Sequence, residues 1–174
     1  MLTTSPRHHR LRLLTGLSAV LVVLADQASK WWAETSLELF DYHPVIGDLL
    51  GWRLVYNPGA AFGIASDFTW ALTILAAIAV LALTVYGFTN RAPSIAIGIA
   101  ALLGGAISHL GDRLFRDPGF AVGHIVDFID YSGFFVGNVA DIFLVGGAIY
   151  LVIASLFQKE PTATPDGRPE QEKS

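Results

Sequence analysis

Phe68 to Phe88 carries no charged residue along its whole length. About 20 apolar residues are what an α-helix needs to cross the hydrocarbon of a bilayer, and a backbone in lipid must pair its own N–H and C=O groups, which makes such a stretch a helix. No other property of the chain narrows its fold as much. Three more segments read the same way, at about Leu11 to Trp32, Pro93 to Leu110 and Val136 to Phe157. Apolar residues make up 53% of the 174 and charged ones only 15%, a balance that points to a membrane protein rather than one soluble domain.

The start of the chain admits two readings. A basic segment with Arg7, Arg10 and Arg12, a charge-free run from Leu13 to Ala25 and the small-residue end Val23-Leu24-Ala25 resemble a cleavable signal peptide. Against cleavage, Asp26, Gln27, Ser29 and Lys30 continue at helical spacing into Trp31 and Trp32, whose indoles suit a membrane–water interface. An uncleaved first helix is therefore expected. Asp26 and Lys30 stand four apart on one face, able to pair with each other.

Residues 33–67 are too long for a simple turn between spans. Ile46 to Tyr56 alternates enough for short strands, and Asn57-Pro58-Gly59 is a strong turn signal. The expected fold is a membrane all-α bundle of four transmembrane helices, with a small extramembrane β-containing subdomain between helices 1 and 2. Residues 1–10 form a basic end, the four-helix membrane domain covers 11–157, and the second outer loop covers 111–135. From Gln158 the chain is polar and aperiodic, as a disordered tail would be. In the third helix Ala96, Ala100, Gly104 and Ser108 recur every four residues, a ridge of small side chains for close helix packing. Arg7, Arg10, Arg12, Arg91 and Lys159 fall on one side of the four spans, against Lys30, Arg53, Arg113 and Arg116 on the other. The positive-inside rule then prefers both termini in the cytoplasm.

The candidate chemistry concentrates between Gly123 and Asp141. Asp127 and Asp141 are set among Leu, Val, Ile and Phe, and an ionisable group so placed is costly enough to suggest function. Two carboxylates brought together cannot both ionise easily, so one keeps a proton near neutral pH. One can then act as general base on water and the other as general acid. The plainer alternative is that Asp127 caps a loop and Asp141 pairs with an arginine. Asp117 and Asp130 read as solvated loop residues, and Asp112 as a partner of Arg113 or Lys30.

Other chemistries lack their residues. The absence of cysteine removes disulfides, thiolate metal sites and a cysteine nucleophile. There is no His-Glu-x-x-His and no Gly-x-Ser-x-Gly. Adjacent Ser29 and Lys30 would point about 100° apart on a helix. His109, His124, Asp112 and Asp127 follow no metal-ligand spacing, and no basic patch suits a nucleic acid. A small ion or proton carrier could use the same buried Asp, Arg and Lys residues as a relay, and a non-catalytic scaffold would need neither aspartate.

Five segments in order give the chain a resemblance to the lipoprotein signal peptidase (signal peptidase II) family of bacterial membrane aspartyl proteases. Asp26-Gln27-Ala28-Ser29-Lys30 matches its Asp-Gln-x-Ser/Thr-Lys, and Asn57-Pro58-Gly59-Ala60-Ala61-Phe62 its Asn-x-Gly-x-Ala-Phe. Gly104-Gly105-Ala106 through Asp112-Arg113 resembles the family's third segment. Val126-Asp127-Phe128-Ile129 and Asn138-Val139-Ala140-Asp141 match the two that carry the catalytic aspartates. The family pattern has Gly-Asn where Ser108-His109 stands here, and Phe where Gly137 stands.

The resemblance implies that Asp127 and Asp141 share a proton and activate water for amide hydrolysis. The substrate would be a prolipoprotein already carrying diacylglyceryl on its cysteine, cut just N-terminal to that residue. Asn57, Arg113 and Asn138 would bind the substrate, with Asp26, Lys30, Gly59, Asp112 and His109 in support. It further implies no metal or organic cofactor, membrane lipids as surroundings, a monomer, and a multi-pass place in the bacterial cytoplasmic membrane with the site near the outer face.

Overall fold

The computed structural model describes residues 6–60, 64–89 and 92–157. Ala61, Phe62 and Gly63 of the Asn-x-Gly segment, Arg91, and the tail from residue 158 lie outside the described residues.

In chain order the elements are α1 (Pro6–Ser36), β1 (His43–Ile46), β2 (Leu50–Asn57), α2 (Thr69–Thr89), α3 (Pro93–Phe115), β3 (Ile125–Tyr131), β4 (Phe135–Gly137) and α4 (Val139–Leu156). All four helices are long and apolar enough to cross a membrane. α1 runs to Ser36 and α3 to Phe115, a turn past the ends expected from apolarity alone. Those extra turns carry the charged residues that ended the apolar runs.

α3 is the central helix. Its buried residues Ala96, Ala100, Gly104, Ser108 and Asp112 form the four-residue ridge expected from the sequence. A Cβ added at Gly104 would come within 2.6 Å of the Val22 Cβ and 2.7 Å of the Ala19 carbonyl oxygen on α1. At Gly105 it would meet Leu144 at 2.7 Å and the Ala140 carbonyl oxygen at 3.0 Å on α4. Helices in lipid gain little from apolar burial, so close backbone approach of this kind holds them together. On α1 the buried face is Thr15, Ala19, Val22, Asp26, Lys30 and Ala33, spaced by threes and fours. Its other face keeps Leu13, Leu17, Leu21 and Leu24 exposed, the side a lipid would cover.

The β-containing subdomain expected between helices 1 and 2 is present as β1 and β2, and it is larger than expected. It is one antiparallel sheet ordered β1-β2-β3-β4, so half of its strands come from the second outer loop rather than from the segment between helices 1 and 2. β2 pairs with β3 in a register that sets Val55 against Asp127 and Gly51 against Asp130. Ile125 to Asp130 is buried at every position, and a strand covered on both faces shows no apolar–polar alternation. That hid it in the sequence. The sheet sits on the end of α1 through a cluster of Ala33, Leu54, Val126, Phe128 and Ile129. Trp32 is edge-on to Trp52 and Phe128, with ring centroids 5.4 and 6.0 Å away.

Asp130 corrects the reading of it as a solvated loop residue. It is fully buried in β3, 3.0 Å from the Arg53 Nε, and accepts the Gly133 backbone N–H at 2.5 Å. A buried carboxylate needs such partners: the Gly133 N–H pins the β3–β4 hairpin, and the ion pair with Arg53 ties β3 to β2. Asp117 is exposed, as expected.

Candidate active site

Side chains alternate along a strand, so Asp127 projects from β3 opposite to Val126 and Phe128, which fill the core. Its carboxylate is 3% exposed and takes an N–H from Asn138 Nδ2 on Oδ1 at 2.6 Å and one from Asn57 Nδ2 on Oδ2 at 3.0 Å. Burial is the main force pushing the Asp127 carboxyl up, to about 7. The charge of Asp141 adds to the rise, while the two asparagine amides and the more distant Lys30 oppose it.

Asp141 is positioned by the start of α4. Asn138 was expected inside that helix, but it is the N-cap, with extended backbone. Its Oδ1 accepts the Asp141 N–H at 3.1 Å, and Asp141 Oδ2 accepts the Asn138 N–H at 2.9 Å. This reciprocal capping box satisfies two helix-end donors and fixes the Asp141 side chain. Because β4 leads directly into the cap, Asn138 also reaches the Val126 carbonyl oxygen at 3.3 Å. One asparagine therefore touches both aspartates. Gly137 leaves room beside them: a Cβ there would lie 2.6 Å from the Phe135 ring and 2.8 Å from Asp141 Oδ2.

Asn57 and Gly59 belong to a loop that Arg113 organises. Asn57 Oδ1 accepts the Gly59 N–H at 2.9 Å. The buried Arg113 guanidinium donates to the carbonyl oxygens of Asn57, Pro58 and Gly123 at 3.1, 2.9 and 2.9 Å, and also to that of Gly59. Thr69 Oγ1 holds the Pro58 carbonyl from the start of α2 at 2.8 Å.

Below the aspartates lies a buried charge network. Lys30 Nζ sits between Asp26 Oδ2 at 2.5 Å and Asp112 Oδ2 at 2.7 Å, and all three side chains are at most 1% exposed. Asp26 also accepts the Ser108 hydroxyl at 2.7 Å and the Ala140 backbone N–H at 2.7 Å. The latter joins the Asp26–Lys30 pair directly to the first turn of α4. Asp112 accepts from Gln27 at 2.9 Å and Arg116 Nε at 2.7 Å, and Arg116 reaches on to Glu34 at 2.7 Å. Of the two partners expected for Asp112, Lys30 is the one it has. Arg116, Glu34 and Ser108 were missed. Carrying α3 one turn further would have put Arg116 four residues from Asp112.

His109 lies on α3 beside both elements, with Nε2 3.2 Å from Asn138 Oδ1 and 3.7 Å from Asp141 Oδ1. Asn57, Gly59, His109, Arg113, Asp127 and Asp141 all border one cavity of about 270 Å³. Its remaining walls are apolar, including Leu72, Leu75 and Ala79 from α2 and Leu144 from α4. A second, apolar groove of about 620 Å³ runs from Asp141 along Ile142, Val145 and Ile149. The arrangement offers two adjacent carboxyls, amide donors and a largely apolar enclosure, all at the sheet end of the bundle.

Residues 18–157 match the family described as Signal peptidase (SPase) II. The chain is 42% identical over 162 residues to the lipoprotein signal peptidase of Rhodococcus jostii, covering 93% of this chain and 82% of that one. It is 43% identical over 148 residues to the lipoprotein signal peptidase of Mycobacterium tuberculosis strain H37Rv, covering 85% and 73%. A bacterial membrane enzyme solved by the in meso method at 2.3 Å superposes with a TM-score of 0.74 at 30% identity, covering 87% of this chain and 94% of that one. A second, solved at 1.9 Å, superposes at 0.71 with 33% identity, covering 84% and 94%. With its motifs, its four spans and these relatives in agreement, the chain belongs to the signal peptidase II family.

Proposed function

We propose that the protein is an aspartyl endopeptidase that removes the signal peptide from diacylglyceryl-modified prolipoproteins, cutting N-terminal to the lipidated cysteine. The observation that carries this reading is that Asp127 and Asp141 open into the same cavity, with Asp127 able to hold a proton near neutral pH. Asp127, at 3% exposure, takes the role of acid, and Asp141, with its side chain 28% exposed at a helix N-terminus, that of base. Asp141 accepts a proton from water as its oxygen attacks the scissile carbonyl, while Asp127 protonates the carbonyl oxygen. The tetrahedral species collapses as Asp141 passes its proton to the leaving amine and Asp127 takes one back from the hydroxyl, so the C–N bond breaks, the carbonyl re-forms and the pair is restored. Each proton has a donor and an acceptor within the pair and the substrate, so no metal or organic cofactor is proposed.

Asn57 and Asn138 hold Asp127, and Asp141 is held by Asn138. Arg113 acts by shaping the Asn57–Gly59 loop over the cavity, where the lack of a side chain on Gly59 lets a peptide backbone approach. The apolar walls on α2 and α4 suit the apolar parts of the substrate. The protein works as a monomer in a bacterial cytoplasmic membrane, both termini inside and the sheet at the outer face. A carrier using the same charges is less well supported, because Asp26, Lys30 and Asp112 pair closely with one another.

The test is cleavage of a diacylglyceryl-modified prolipoprotein by the detergent-purified protein beside folded Asp127→Asn and Asp141→Asn variants. The wild type is expected to cut before the lipidated cysteine. Each variant should lose at least about 10²–10⁴-fold, the usual worth of acid–base catalysis. Equal activity in all three would sink the dyad, and proton flux in liposomes would then be measured.

A further inference from the structure

The position taken by His109 is occupied by asparagine in the family pattern, so nothing in that pattern says what an imidazole does there. The surrounding hydrogen bonds settle which atom carries its proton. Asn138 uses Nδ2 to donate to Asp127 Oδ1 and the Val126 carbonyl, so its amide cannot be flipped without placing an acceptor against both. Its Oδ1 already accepts the Asp141 N–H. Toward His109, at 3.2 Å, Asn138 therefore presents an acceptor, and His109 Nε2 must be the donor. The same nitrogen lies 3.7 Å from Asp141 Oδ1, beyond hydrogen-bond distance, so its hydrogen bond goes to Asn138.

We propose that His109 is a positioning residue for the aspartate pair: its Nε2–H donates to Asn138 Oδ1 and so braces, from α3, the one side chain that bonds Asp127 and caps Asp141 before substrate arrives. The proposal rests on the peptidase reading above. Without this link Asn138 is fixed from β3 and from α4 but not from α3, and α3 is the helix that both strand and cap pack against. The ring is 17% exposed at the cavity wall. The charged or titratable side chains bordering that cavity with it are Asp127 on β3, Asp141 on α4 and Arg113 one turn along α3, whereas α2 and β2 contribute only uncharged ones. Arg113 has its guanidinium nitrogens on backbone carbonyls, which leaves His109 as the donor nearest Asp141 from α3.

The experiment compares wild type, His109→Leu and His109→Gln on a diacylglyceryl-modified prolipoprotein, with kcat and KM measured separately and melting temperatures checked. Leu keeps the bulk and removes the donor, while Gln places an N–H at similar reach. His109→Leu is expected to lower kcat by about 10–100-fold, the worth of one hydrogen bond near a charge, with KM within about threefold. His109→Gln should recover most of that loss. Equal kcat in all three overturns the proposal. So does a loss that falls on KM alone, which would make His109 a substrate contact, or a Gln variant as poor as Leu, which would make the ring merely a spacer. A wild type that does not cut would instead overturn the peptidase reading and is distinguishable at the first measurement.

Discussion

Asp127 shows how one position can be tuned by opposing forces. Two amide N–H groups favour its carboxylate, yet burial in β3 outweighs them and lifts it from 3.8 to about 7. A raised native value means that the folded protein binds this proton more tightly than the unfolded chain. The stabilisation is complete below about pH 4 and fades as pH rises through about 7, with a slope of at most roughly 1.4 kcal/mol per unit. Melting temperature followed from pH 4 to pH 8 should fall in the wild type, and this part of the slope should vanish in Asp127→Asn. Parallel curves would show that the carboxyl titrates alike in both states. Neighbouring residues were unequally legible. Asp127 and Asp141 were visible as carboxylates in apolar runs, but Asp130 looked like one more loop acid. Only the pairing of β3 with β2, which brings Arg53 beside it, accounts for its burial.

At the scale of elements, helices that associate by small residues and by charge meet at α3. The Lys30 contact with Asp112 ties α1 to α3, and Asp26 extends the tie to the first turn of α4. Lys30→Met would leave the buried Asp26 without its cation and Asp112 with Arg116 alone, and losing one partner of a buried pair costs about 3–5 kcal/mol. For a chain of this size that corresponds to a melting temperature lower by about 6–20 °C. Thermal unfolding in detergent checks this, with Asp26→Asn added to Lys30→Met recovering part of the loss. A Lys30→Met variant melting with the wild type would mean that the network contributes no stability. The Asp26–Lys30 spacing and the small-residue ridge were readable because helical periodicity is local. Arg116 was not, since it falls beyond the apolar run where the helix was thought to end.

For the whole molecule, the sheet gathers both outer loops onto one end of the bundle, and the side of the membrane they occupy follows from the proposed orientation. The natural absence of cysteine makes a direct test simple. Leu49→Cys, at the exposed β1–β2 turn, should react with a membrane-impermeant maleimide in intact cells, and Thr164→Cys in the tail only after permeabilisation. The reverse pattern would invert the topology and place the cavity in the cytoplasm. Four spans, their approximate limits and the choice of Asp127 and Asp141 as candidates came from the sequence itself, because apolar length and an ionisable group in an apolar run are properties of contiguous residues. The meeting of those aspartates was decided by tertiary structure alone. It depends on β3 pairing with β2, which brings Asn57 onto Asp127 seventy residues along the chain, and on β4 delivering Asn138 as a cap between them. Strand pairing joins backbone groups far apart in sequence that are left unpaired once the helices have packed, and no stretch of the chain carries that information alone.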